Sequence, residues 1–293
     1  MEFDPVLLLN GVVSGLLLGV LYAVAASGLA ISFGMLDIVN IAHPALMVVG
    51  AFIVVMVNQS LGLDPLLTAL LLMAPFHLFG TAFFRAYHHF FERRGDEGIQ
   101  GLAFFFGVMF ILEVGLAMQF GPEQRFVDPA YASVTWHLGA IDVPLRMLVP
   151  AVVALVVLAV LGMFLRRSFV GRAIAAVAQD REALRLLAID PVRIRRVAFG
   201  LSIALAALAG GAVVVVQAVD PWSGDVFIGR VFAIVIMGGM ASLSGCVLAA
   251  LIFGMVENLT ATIYGPSWSP AVAFGLLLLV LAVRPEGLFG RTA

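Results

Sequence analysis

An all-α polytopic membrane protein is the fold class this sequence predicts. Three observations carry the prediction: 62% of the 293 residues are hydrophobic, only 12% are charged, and the charges fall in a few short stretches between long runs that have none. A soluble domain carries about twice that charge and about 45–50% apolar residues. A helix rises about 1.5 Å per residue, so roughly 20 apolar residues cross a hydrocarbon core about 30 Å thick. Only helices or closed barrels can cross, because lipid offers backbone groups no hydrogen-bond partner. The apolar runs are continuous rather than alternating, which selects helices.

The spans follow in order. The charge-free stretches Pro5–Leu36, Ile38–Leu63 and Pro65–Phe84 place spans near 9–33, 38–57 and 65–84. A fourth, 99–120, is apolar except for Glu113. Met147–Leu165 and Val197–Val219 give spans at 147–165 and 197–219. Near the C-terminus charges mark boundaries poorly. Gly238-Gly239, Ser242 to Gly245 and Gly265-Pro266 are the better breaks, giving 227–242, 245–264 and 267–283. The total is about nine transmembrane or half-membrane helices in a single domain, 1–293. The start, Met1-Glu2-Phe3-Asp4, is acidic; a secretory signal needs a positive n-region, so the first apolar run is expected to stay as a span.

All sixteen basic residues are Arg, and basic residues concentrate on the cytoplasmic side of membrane proteins. Placing 85–97, 166–196 and 284–293 inside accounts for thirteen of them. The N-terminus is then outside, the C-terminus is cytosolic, and 121–146 is an external loop in which Tyr131 and Trp136 suit the interface. A net charge of -2 argues against nucleic-acid binding, which needs a basic face. The single cysteine, Cys246, excludes an intrachain disulfide and a Cys-based metal cluster. His77, His88, His89 and His137 show no metal-ligand spacing. A Walker A sequence is impossible without Lys, and neither G-x-S-x-G nor H-E-x-x-H occurs. Any ATP chemistry belongs to another chain.

Eight of the sixteen Arg lie in 166–196, a loop much longer than a tether needs. Asp180 is placed to N-cap a short helix from Arg181, with Glu182 in its first turn. Asp190-Pro191 is expected to stop that helix. Over 181–189 the usual rise gives about 13 Å, too short to cross. Ala183, Leu184, Leu187 and Ala188 fall on one side of it, Arg181 and Arg185 on another. Such an amphipathic helix lies on the membrane, packs on its own protein, or fits a partner's groove.

These residues carry a resemblance. Gly171-Arg172-Ala173, Ala178-Gln179-Asp180 and Leu186-Leu187-Ala188-Ile189-Asp190 resemble the coupling loop of the LivH/LivM permeases, the membrane subunits of ABC importers for branched-chain amino acids and related solutes. Gly34 to His43, Gly238 to Gly245, and Arg284 to Gly290 are similar to three further motifs of that family, in the same order. The resemblance implies an ABC importer permease fold, a bacterial inner-membrane location, a second homologous permease, two cytosolic ATPase subunits and an extracytoplasmic solute-binding protein. It implies no cofactor in this chain, ATP and Mg belonging to the ATPase. By carry-over, Ala178, Asp180, Glu182, Ala183, Leu187, Ala188 and Ile189 face the ATPase. This chain has Ala188 and Ala241 where the family has Gly, and Pro44 where it has Gly after the motif His. Alanine needs no special backbone angles, so at Ala188 the docking helix is expected to continue rather than turn sharply.

Candidate pathway residues are Asn40 and His43, set three apart so as to share a helical face, beside Pro44 in a 59-residue run whose only charge is Asp37. Transporters often place solute at such broken helices. Gly238, Gly239 and Gly245 either allow close helix packing or open a break that exposes carbonyls. A weak internal repeat pairs Gly34-Met35 and Ala45 to Gly50 with Gly239-Met240 and Ala249 to Gly254. Two intramembrane acids, Glu113 and Glu257, face an interior or a cavity by cost. The alternative to a permease subunit is a self-sufficient secondary carrier or channel for a small polar solute, which has no need of a docking helix.

Overall fold

The computed structural model describes residues 5–91, 99–240 and 242–289. The chain starts with α1 (Pro5–Leu29), which runs into a π-helical turn (Ala30–Met35). There follow α2 (His43–Leu61), α3 (Pro65–Phe90), α4 (Ile99–Phe120), a hairpin of β1 (Thr135–Leu138) and β2 (Ile141–Pro144), and α5 (Leu145–Arg167). Two short helices, α6 (Phe169–Val177) and α7 (Arg181–Leu186), precede α8 (Pro191–Val216). The chain ends with α9 (Ser223–Gly238), α10 (Leu243–Tyr264), a 3-10 turn (Pro266–Trp268) and α11 (Ser269–Val283). Among the described residues, eight helical segments are long and apolar enough to cross a bilayer. α9 is the ninth segment, and its 16 residues reach about 24 Å, short of a full crossing.

α8 is the central post. Every residue from Ser202 to Val215 is buried, and α1, α2 and α3 pack around it. Its small side chains allow this: a Cβ on Gly211 would collide with Ala69 of α3, and Ala207 lies against Gly50 of α2. The other close crossing joins α1 to α10. A Cβ on Gly254 would stand 2.5 Å from the Gly19 nitrogen and 2.6 Å from the Gly15 carbonyl oxygen, so the two backbones touch through a small-residue seam. Outer faces carry exposed apolar side chains, such as Phe110, Ile111 and Met118 on α4, as lipid contact requires.

Several boundaries differ from the sequence expectation. α3 continues through Phe90, so Arg85, His88 and His89 are helical. α8 starts at Pro191 because Asp190 accepts the Val192 N–H at 2.9 Å and proline suits the first helical position. Asp190-Pro191 therefore begins α8 rather than ending the helix before it. Arg195, expected in a loop, is 3% exposed. Its Nη2 donates to the Leu36 carbonyl at 2.9 Å, just past the π-helical turn, and its guanidinium lies over the Phe84 ring. Within 121–146 the β1–β2 hairpin was not foreseen. It pairs Trp136 with Val143 and is held to α1 by Asn10, which accepts the Asp142 N–H and donates to Ala140.

Gly254→Leu is expected to overpack the α1–α10 crossing by about 1–3 kcal/mol. The melting temperature of the detergent-purified chain should fall clearly; an unchanged value would mean the crossing is not tight.

Candidate functional site

The loop tip between α5 and α8 is built by caps. Ser168 accepts the Gly171 N–H at 2.8 Å and starts α6, whose Gly171, Ala173, Ile174 and Val177 are buried. Asp180 accepts the Glu182 N–H at 2.8 Å and starts α7. Glu182 and Arg185 pair at 2.7 Å on the exposed side. α7 ends at Leu186 in a left-handed turn: Ala188 has φ +58°, the Ile189 N–H donates to Leu184 O, and the Ala188 N–H donates to Arg185 O. This is the Schellman arrangement, in which the left-handed residue is usually glycine. Ala188 thus does not extend the helix. It adopts the turn a glycine would make, at roughly 1–2 kcal/mol of Cβ strain.

That turn separates residues expected on one face. Leu184 is buried at 3%, while Leu186 and Leu187 are exposed at 88% and 71%. Ala178, Asp180, Glu182 and Ala188 are exposed and Ile189 is half-buried; the side chain of Ala183 lies outside the described residues. The result is an apolar knob, Leu186-Leu187, beside the exposed Asp180, Glu182 and Arg185. Leu186 was missed because a helix continued to 189 hides the turn that pushes both leucines outward.

Asn40 and His43 do not share a helix. Asn40 sits in the irregular connection after the π-helical turn, and His43 is the first residue of α2; the His43 N–H reaches Asn40 O at 3.2 Å. Pro44, at the second position of α2, has no N–H for the helix to leave unsatisfied. Both side chains are 0% exposed. His43 Nε2 lies 3.1 Å from Ala25 O, the ring filling the space before Gly28, where a Cβ would come within 2.7 Å of it. Among the described residues, His43 Nδ1, both side-chain polar atoms of Asn40, and the hydroxyls of Ser27 and Ser202 have no hydrogen-bond partner. Five buried orphan polar atoms around one helix break are costly.

The glycines are used for packing. A Cβ on Gly238 would lie 2.6 Å from the Cys246 backbone, and one on Gly245 would strike Gly238 O. Gly239 turns the chain at φ +95°. The carbonyls freed here are taken by the C-terminal segment: Leu288 N–H to Met237 O at 2.8 Å and Phe289 N–H to Gly238 O at 3.3 Å. Gly34 packs directly on Met240, so the two segments of the weak repeat touch; Ala241 lies outside the described residues.

The two acids differ. Glu257 of α10 pairs with Arg230 of α9 at 2.8 Å, with both largely buried. The Tyr22 hydroxyl donates to the same carboxylate, and the Arg230 guanidinium lies between the Tyr22 and Phe227 rings. Arg230 was the missed residue, although it is the one Arg between 197 and 283 and Glu257 is the opposite charge on the next helix. Glu113 of α4 is 4% exposed, and its Oε1 has no hydrogen-bond partner among the described residues. It lies against Gly224 in the first turn of α9, beside Ala45 in the first turn of α2. Two helix N-termini, which favour negative charge, meet at this carboxyl.

Eight helical segments long and apolar enough to cross a bilayer, a ninth short helix packed among them, and an exposed capped loop define a multi-pass membrane protein. The family model described as "Branched-chain amino acid transport system / permease component" matches residues 11–281, and the chain belongs to that family. It is similar to the high-affinity branched-chain amino acid permease protein BraD of Pseudomonas aeruginosa, 28% identical over 97% of this chain and 96% of that one. It is similar to LivH of Salmonella typhimurium, 27% identical over 95% and 94%. LivM of the same organism matches 44% of this chain at 33% identity, over 30% of its own length. No solved structure matches.

Glu257→Gln is expected to leave Arg230 buried and uncompensated, costing about 3–5 kcal/mol, whereas an Arg230→Met, Glu257→Leu double variant costs far less. Melting temperatures of the three proteins check this; equal losses in both variants would remove the pair from the account.

Proposed function

We propose that this chain is one of two related permease subunits of an ABC importer in a bacterial plasma membrane, and that its α6–α7 tip is the handle for a cytosolic ATPase. The observation that carries the proposal is the Leu186-Leu187 knob, exposed on a tip held rigid by Asp180, the Schellman turn and Asp190. Two adjacent leucines in water cost free energy unless something covers them, and an apolar anchor with a polar rim is the pattern of a helix seated in a groove. Ala178, Asp180, Glu182, Ala183, Ala188 and Ile189 form the rest of that contact. Likeness to LivH along the whole chain and to LivM along part of it supports a heterodimer with a LivM-like permease. An external binding protein delivers the solute, an amino acid of the branched-chain class named for the relatives. Thirteen of the sixteen Arg on one side support a cytosolic tip and an outer N-terminus.

Asn40 and His43 are this chain's polar contribution to the pathway, supported by their unfilled hydrogen-bonding atoms. Both are sealed here, so solute reaches them only when the break at 36–42 opens. Gly238, Gly239 and Gly245 shape the α9–α10 turn rather than touch solute. Of the acids, Glu113 keeps an unfilled oxygen and is placed to meet a cationic group; Glu257 locks α9 to α10.

Leu187→Asp is expected to abolish ATPase co-purification from membranes while the chain still inserts. Wild-type retention of the ATPase would overturn the handle. Asn40→Ala and His43→Ala are expected to lower uptake at least several-fold with assembly intact, and normal uptake in both would remove them from the pathway. The chain alone in liposomes should not accumulate solute down an ion gradient; accumulation would favour a self-sufficient carrier.

A further inference from the structure

The seam between α3 and α8 holds two features to which the proposed function assigns no role. At the arginine-rich end is a cavity of about 330 Å³ lined by Phe84, Arg85, His88, His89, Val192 and Arg196. No hydrogen bond or ion pair among the described residues engages the side chains of Arg85 or Arg196. Further along the same two helices is an apolar groove of about 400 Å³, between Ala74, His77 and Leu78 of α3 and Leu201 and Ala204 of α8. Residues 74, 78, 81, 85 and 88 of α3 follow one another at helical three- and four-residue steps, as do 192, 196, 200 and 204 of α8, so cavity and groove lie along one side of the helix pair, on either side of the contact between Thr81 and Gly200. From Arg85 to Leu78 is about 10 Å of rise.

We propose that this seam binds an anionic phospholipid, its phosphate held by Arg85 and Arg196 and one acyl chain laid in the groove. Charge complementarity picks the head: two arginines from different helices line one cavity, and guanidinium matches phosphate oxygens in a bidentate fork. The groove picks lipid over a free phosphate ester. It is nearly devoid of polar atoms and opens beside Leu78, which is 67% exposed and in contact with hydrocarbon in a membrane. Basic pockets between helices at the membrane surface are suited to anionic headgroups, each Arg adding about 1 kcal/mol. By bridging α3 to the first turns of α8, the lipid fastens the post that leads directly into the α7 tip.

The test uses the full chain purified in detergent, with bound lipid counted by native mass spectrometry and melting temperature followed on adding phosphatidylglycerol, phosphatidylcholine or inorganic phosphate. Phosphatidylglycerol should bind and raise the melting temperature, while phosphatidylcholine and inorganic phosphate leave it unchanged. Arg85→Gln with Arg196→Gln should weaken phosphatidylglycerol binding about 10- to 30-fold without changing the melting temperature in phosphatidylcholine. Arg85→Lys with Arg196→Lys should keep part of the effect, and Arg166→Gln with Arg167→Gln, at the end of α5, should keep all of it. Equal response to both lipids, stabilisation by inorganic phosphate alone, an undiminished effect in the double Gln variant, or an equal loss in the α5 control would each overturn the proposal.

Discussion

A helix broken within the packed bundle frees backbone donors and acceptors that need partners from elsewhere in the chain, and this fold is organised around supplying them. The first break follows α1. Its π-helical turn ends at Met35, Asp37 takes a left-handed conformation, Ile38 N–H returns to Ser32 O, and the Leu36 carbonyl is claimed by Arg195 from 159 residues away. The second break, at Gly238-Gly239, hands its carbonyls to Leu288 and Phe289. A charged side chain and a chain terminus thus complete helices they do not belong to. Because Arg195 is on α8, the axis of the molecule and its first broken helix are one mechanical unit.

Most of the architecture was legible because lipid enforces a coarse rule. Apolar run length and glycine breaks place most of the long helices: α4 and α10 match the spans expected for them within two residues, while α2 starts five residues later than expected. What failed did so where polar groups serve the interior. Arginines at 193, 195 and 196 look like loop residues by charge, yet an N-capping Asp190 makes them helical, and one is buried. A charge that reads as a boundary is ambiguous whenever a carbonyl waits for it. The β1–β2 hairpin escaped for the opposite reason: short strands leave little imprint on a chain dominated by twenty-residue periodicities.

In the loop tip the local caps were legible in the sequence and the turn was not. Asp180 caps its helix as its position implies, and the pairing of Glu182 with Arg185 follows from helical spacing. At Ala188 local preference pointed the wrong way. Alanine favours helix, but α7 is too short to hold its own last turn, and burial of Leu184 under the tip sets the reversal. A residue type costs little to override when a buried neighbour decides. Asn40 and His43 stand out by their neighbours in sequence, yet no pattern could show that their polar atoms find no partner among the described residues, since that depends on Ala25, Gly28 and Ser202 from two other helices.

Cys246 is wedged against Gly238 and wholly buried, and it is the one thiol in the chain. The native protein is therefore nearly silent to maleimide reagents without any substitution. Reporter cysteines introduced one at a time will stand against a blank background, so sidedness and opening can be mapped by alkylation on an unaltered scaffold.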